Sequence, residues 1–268
     1  MCLIVFGLRS HPDYPLIVAA NRDEYYQRPT DNASLWQPVP GGETVLSGRD
    51  LQAGGTWMGV RANGRFAAVT NIRNGHINSD RPRSRGQLVL DSLLSPDAAA
   101  HLQQLQSQAA QFNGFNLLSG SADSLWYSSN IDTFGSDAGQ RQQGANRELA
   151  AGVYGLSNGL LDSPWPKVER SRQGLLQCLQ RDWSNPAARC DELFDLLADA
   201  SAAPVAQLPQ TGIPLEREIQ LSSAFIHSAD YGTRASTLAL FHRRHGWQFI
   251  ERQFNEQGIS GEQSWQLG

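Results

Sequence analysis

Apolar and polar positions divide the chain into short strands, a helical middle and closing strands. Cys2 to Leu8 and Leu16 to Ala20 are apolar runs that read as strands. His11-Pro12-Asp13-Tyr14-Pro15 turns between them, because Pro and Asp favour turns and Pro is excluded from a central strand. The second run gives way to the polar cluster Asn21-Arg22-Asp23-Glu24. Residues 29–43 hold three prolines and read as an irregular loop able to cover a cleft. Thr56–Arg61 and Arg65–Thr70 predict a hairpin across Asn63-Gly64, a pair that tolerates positive φ, and it ends in Asn71-Ile72-Arg73-Asn74.

Gly86–Leu94 is a short amphipathic segment. Ser95-Pro96-Asp97 predicts a helix start, with Ser95 as N-cap, and Leu102 and Leu105 supply its apolar stripe as far as about Phe112. Gly114–Ser119 and Ser124–Ser129 predict a second hairpin, and residues 130–148 a polar loop. Gly152–Leu156 reads as a strand running into Ser157-Asn158-Gly159. Pro164-Trp165-Pro166 opens a helix carrying Val168, Leu175, Leu176 and Leu179; a further helix covers Asp191–Ala200, and 201–219 is a loop. Phe225–His227, Arg234–His242 and Trp247–Phe254 are closing strands. Hairpins, not helical crossovers, join consecutive strands. The expectation is an α+β fold of antiparallel sheets with segregated helices, in one domain over residues 1–268.

Charge narrows the function classes. Lys plus Arg is 22 against 26 for Asp plus Glu, a net charge of −4 that argues against a nucleic-acid partner. No apolar run approaches the ~20 residues of a membrane span, and Leu3–Leu8 lacks the flanks of a signal peptide. Three distant cysteines, Cys2, Cys178 and Cys190, without a C-x-x-C suggest a reducing compartment, with the cytoplasm as the expected location. Phosphate-loop, dinucleotide and metalloprotease motifs are missing from the sequence, and His242 and His245 read as an exposed turn, so neither cofactor nor metal is expected.

The candidate chemistry begins at Cys2. If Met1 is removed, one residue carries both a thiol and an α-amine of pKa ~7.7–8.0, and that amine can serve as base for its own nucleophile. The alternative is a small buried hydrophobe in an edge strand. Polar clusters at further strand ends add Asp23 to orient an amine, Asn71 and Asn158 to donate to an oxyanion, and Arg22 to clamp a carbonyl or carboxylate. Trp57 and Arg73 are candidate substrate contacts.

Met1-Cys2, Ala20-Asn21-Arg22-Asp23-Glu24, Gly54-Gly55-Thr56-Trp57, Thr70-Asn71-Ile72-Arg73, Gly155-Leu156-Ser157-Asn158, the stretch from Leu161 to Lys167 and Tyr231-Gly232-Thr233-Arg234 together resemble the NRDE family, that of the transport and Golgi organisation protein 2. The resemblance covers nearly the whole chain. It implies an N-terminal-nucleophile (Ntn) hydrolase-like fold, a four-layer αββα sandwich. It also implies a distant similarity to choloylglycine and acyl-amide hydrolases, in which Cys2 matches the nucleophile, Asp23 the amine-orienting carboxylate, and Asn71 and Asn158 the oxyanion positions. One position departs: those hydrolases carry Arg three residues before the Asp, and this chain has Ala20 there. Two functions are then expected as alternatives. One is a cysteine-nucleophile hydrolase of an acyl amide's carbon–nitrogen bond. The other is a non-catalytic carrier of haem or acyl-CoA, with Arg22, Arg73, Arg81, Arg83 and Arg85 as its anion-binding residues.

Overall fold

In the computed structural model, residues 2–75, 81–131 and 146–268 are described. In chain order the strands are β1 (Cys2–Leu8), β2 (Leu16–Tyr25), β3 (Thr30–Trp36), β4 (Val45–Asp50), β5 (Met58–Val60), β6 (Arg65–Asn71), β7 (Phe115–Ser121), β8 (Leu125–Ser129), β9 (Arg147–Glu148), β10 (Gly152–Leu156), β11 (Tyr231–His242), β12 (Gly246–Asn255) and β13 (Gly258–Leu267). The helices are α1 (Arg85–Leu94), α2 (Ala98–Gln108), α3 (Pro166–Leu179), α4 (Pro186–Leu197) and α5 (Leu215–Gln220).

The strands form two sheets, ordered β10-β1-β2-β11-β12-β13 and β3-β4-β5-β6-β7-β8-β9, with antiparallel pairing throughout. Three apolar layers hold them. Ile4, Phe6 and Leu8 of β1 meet Met58, Phe66 and Leu118 between the sheets. Leu3 and Val5, pointing the other way, pack on Val168, Leu175, Leu193 and Leu197 of α3 and α4. Ala67, Val69 and Leu117 of the second sheet pack on Leu88, Val89, Leu102 and Leu105 of α1 and α2. The result is the expected αββα sandwich. It also explains why β1 is apolar at every position, since both of its faces are covered. None of the described helices is long and apolar enough to cross a membrane.

Several boundaries differ from the sequence reading, each for a tertiary reason. The Asn21–Glu24 cluster is not a loop: β2 runs on to Tyr25, because β11 pairs with it as far as Tyr231 and buries it. Strand β1 lies between β10 and β2 and is no edge. The expected loop at 29–43 contains β3, and β4 follows it. The hairpin turn at Gly64 (φ +84°) forms as expected, although its first arm shortens to Met58–Val60.

Ser95 ends α1, and Asp97 is the cap of α2, accepting from the Ala100 amide at 3.1 Å. Helix α4 starts at Pro186, capped by Asn185. Residues 215–220 of the expected 201–219 loop are helical. Phe225–His227 contributes only a single bridge, His227 to Gly232, and the third closing strand is instead β13. Most of the expected 130–148 loop (132–145) lies outside the described residues, and β9 falls at its end.

Candidate active site

Strand alternation decides where Cys2 points. It shares a face with Ile4 and Phe6, so its side chain lies on the inter-sheet side, and it is 6% exposed. There it opens onto a cavity of about 580 Å3 whose walls include Arg22, Asp23, Trp57, Asn71 and Arg85. Burial pushes the thiol upward, so it needs a base to become a thiolate.

The β1–β2 register pairs Cys2 with Arg22. Asp23 is the next residue of β2 beyond that pair, at the end of β1 where a freed Cys2 would carry its amine. Asp23 is buried, and its Oδ1 accepts from the Thr233 hydroxyl at 2.8 Å. Burial raises its carboxyl and the nearby Lys167 opposes that most strongly. Its neighbour Asn21 serves the fold: the Asn21 amide donates to the Leu197 and Ala224 carbonyls, both at 2.8 Å, and accepts from Ser236. Arg22 faces the cavity, with one guanidinium nitrogen 3.8 Å from Glu24. Ala20, the position that departs from the expected pattern, is fully buried between the sheets.

A strap joins the two sheets beside the thiol. The Ser157 hydroxyl donates to the Cys2 carbonyl at 2.8 Å. The Asn158 amide donates to the Asn71 carbonyl at 3.0 Å, and the Arg73 amide donates to the Asn158 carbonyl at 2.8 Å. The Asn116 amide ties down the Gly159 carbonyl at 2.7 Å. Residues 157–159 thus lock the starts of β1 and the end of β6 together, bringing Cys2 and Asn71 to one cavity. Asn158 itself is fully buried and does not line that cavity.

Arg73 is placed elsewhere. It is buried, paired to Glu218 at 2.8 Å, and lies 4.7 Å over the Trp165 ring. It lines a second, more apolar cavity of about 400 Å3 with Ile72, Ile213, Leu221 and Tyr231; Asn71, Arg85 and Glu24 belong to both cavities. Of the other expected anion-binding arginines, Arg81, Arg83 and Arg85 all line the Cys2 cavity, although Arg83 also pairs with Asp91 at 3.4 Å and lies over Phe112. Sequence reasoning passed over Arg28, Arg49 and Arg234, which line the same cavity from β-strands and loops far apart in the chain. No cluster of metal-ligand type occurs among the described residues.

Comparisons with known proteins bear on the fold and on the family. The solved C2A mutant of the conjugated bile acid hydrolase from Clostridium perfringens superimposes with a TM-score of 0.52 at 7% identity, covering 100% of this chain and 92% of that one. This shows a fold of the Ntn-hydrolase class. The bovine Transport and Golgi organization protein 2 homolog is 34% identical, covering 94% of this chain and 92% of the relative. The human homolog is 31% identical, covering 97% and 95%. The model of the Transport and Golgi organisation 2 family matches residues 1–256, and the chain belongs to that family.

Proposed function

We propose that the protein is an N-terminal cysteine-nucleophile hydrolase of the amide bond of a small acyl compound. The observation that carries this reading is that Cys2, at the start of β1, opens onto a cavity that Asp23, the residue after its register partner Arg22, also lines. In a chain freed of Met1, the Cys2 α-amine takes the thiol proton and the sulfur attacks the amide carbonyl. The Asn71 side chain donates to the oxyanion, and Asn158 fixes the backbone from which Asn71 projects. The carbon–nitrogen bond breaks as the ammonium returns its proton to the leaving amine. Water, deprotonated by the same amine, then hydrolyses the thioester. Asp23 holds and orients the amine, Arg22 and Trp57 contact the substrate, and the apolar cavity beside Asn71 suits an acyl chain.

A second reading rests on a different feature. Among the described residues, seven arginines and five carboxylates line the Cys2 cavity, an excess of positive charge that suits a carrier of an anionic ligand such as haem or an acyl-CoA. One experiment separates the two. Intact mass establishes the state of Met1, and a panel of N-acyl amino acids and acyl amides is then assayed with Cys2→Ala as control. Turnover lost in Cys2→Ala supports the hydrolase. Stoichiometric ligand binding, equal in both proteins and without turnover, overturns it in favour of the carrier.

A further inference from the structure

Lys167 is the buried charge that the hydrolase reading leaves unused. It is 1% exposed, and its Nζ has no hydrogen-bond acceptor among the described residues. Burying a lysine without a direct partner is costly, and such groups persist where a site requires them. The chain goes to some length to deliver it. Between β10 and α3, residues 160–165 fold back on the strand: the Gly155 amide donates to the Asp162 carboxylate and the Asp162 amide to the Gly155 carbonyl, both at 2.8 Å. Asp162 adopts a positive φ of 58° to do so. Pro166 then starts α3, placing Lys167 in its first turn. Val168 comes so close to the strand that a Cβ on Gly155 would lie 2.5 Å from its Cγ1. Gly155 pairs with Val5 of β1, so the start of α3 lies directly on the strand that carries Cys2.

The groups acting on Lys167 come from three elements: Asp23 on β2, Cys2 on β1, and Arg73 beyond β6. Around Asp23 stand Thr233 on β11 and Arg22 on its own strand; Tyr231 on β11 senses Asp23, Cys2 and Glu24. The two arginines have carboxylate neighbours of their own, Arg73 with Glu218 and Arg22 with Glu24, and among the cations acting on Asp23 the chain's terminal ammonium ranks after Lys167. Lys167 therefore stands as the main positive charge for Asp23, and its ammonium is drawn down to about 8 by burial against the pull of that carboxylate.

We propose that Lys167 is a positioning residue of the Cys2 site, whose buried ammonium holds the Asp23 carboxylate charged beside the Cys2 amine. This rests on the hydrolase reading for its purpose, but its test needs no turnover. The carboxyl of Asp23 is titrated by carbon-13 NMR in the full chain, with Asp23→Asn identifying the signal. Loss of a neighbouring cation moves such a midpoint by about one to three pH units. Lys167→Met is expected to move it up by that amount, and Lys167→Arg to leave it near the wild-type value. In the reciprocal measurement, Asp23→Asn lowers the Lys167 midpoint, read by pH-dependent acylation and peptide mapping, by a comparable amount. That arm stands even if Lys167→Met does not fold. An Asp23 midpoint unchanged in folded Lys167→Met, or a Lys167 midpoint unchanged in Asp23→Asn, overturns the proposal. Should both shifts appear while no amide is hydrolysed, the positioning role stands and the hydrolase reading falls.

Discussion

Two groups of buried charge lie near the same strand ends and follow opposite rules. In the Arg73–Glu218 group the bonds close. The guanidinium meets its carboxylate at 2.8 Å and lies over Trp165, and the other Glu218 oxygen accepts from the Thr211 amide at 2.9 Å. In the Cys2–Asp23–Lys167 group Asp23 has its Thr233 partner at 2.8 Å, but the cation is left open. The thiol is raised by burial, the carboxyl is raised by burial, and the ammonium lacks an acceptor among the described residues. A closed set rigidifies the fold, whereas an open one stores the electrostatic tension that chemistry uses.

The strongest way to break the comparison is to open the closed group. Arg73→Met leaves the Glu218 carboxylate buried without its cation, which costs about 3–5 kcal/mol. In a chain of this size that lowers Tm by on the order of 10 °C. The double variant Arg73→Met/Glu218→Leu should recover most of the loss, because removing both charges removes the uncompensated one. Thermal melts of the three proteins decide the matter. A single variant melting within about 2 °C of wild type would mean that the pair contributes little to the fold.

Arg73 also shows what could be read in the sequence. As Thr70-Asn71-Ile72-Arg73 it sits at a strand end like Asn21-Arg22-Asp23, and nothing local tells the two arginines apart. The distinction comes from Glu218, 145 residues further on, in a short helix within what reads as a Pro-containing loop. The sandwich itself was legible because period-two alternation and hairpin turns are local signals, as in β1 and at Asn63-Gly64. The edge strands β3 and β13 were not, since their polar residues become strand only through a partner in the sheet. Cys2 and Asp23 stand out in the sequence as candidates by residue type beside apolar runs, although β2 itself continues past Asp23 to Tyr25. Lys167 lay inside a recognised motif, yet only tertiary burial distinguishes it from any surface lysine at a helix start.

Lys167 gives the second test, since an open group should weigh against stability. Its proton is held down to about 8, below the ordinary 10.5. Between those values the unfolded chain binds more protons than the folded one, so this residue makes stability rise as pH rises through the window. Below about pH 8 the buried ammonium costs the fold, by ~3 kcal/mol at most. Losing Lys167 also deprives Asp23 of its cation, so the test is the slope and not the offset: in urea unfolding wild type should gain up to ~3 kcal/mol relative to Lys167→Met between pH 8 and pH 10.5. A gap that stays constant across this range would show that Lys167 carries no buried charge in the native protein.

The smallest expected effect is the most telling for Cys2. Cys178 and Cys190 belong to the apolar layer between α3, α4 and the first sheet, and Cys190 lines none of the cavities described above. Cys2 instead borders the open cavity, so deleting its sulfur enlarges existing space and leaves no new void within the core. Cys2→Ala should then change stability by no more than ~0.5 kcal/mol, whereas Cys190→Ser, which puts a hydroxyl into the apolar layer, should cost about 1–3 kcal/mol. Urea unfolding of the two variants measures the contrast. Equal losses would make Cys2 a packing residue like the other two. An unchanged Cys2→Ala stability means that the site residue is dispensable to the fold, so any activity lost in that variant is chemistry and not folding.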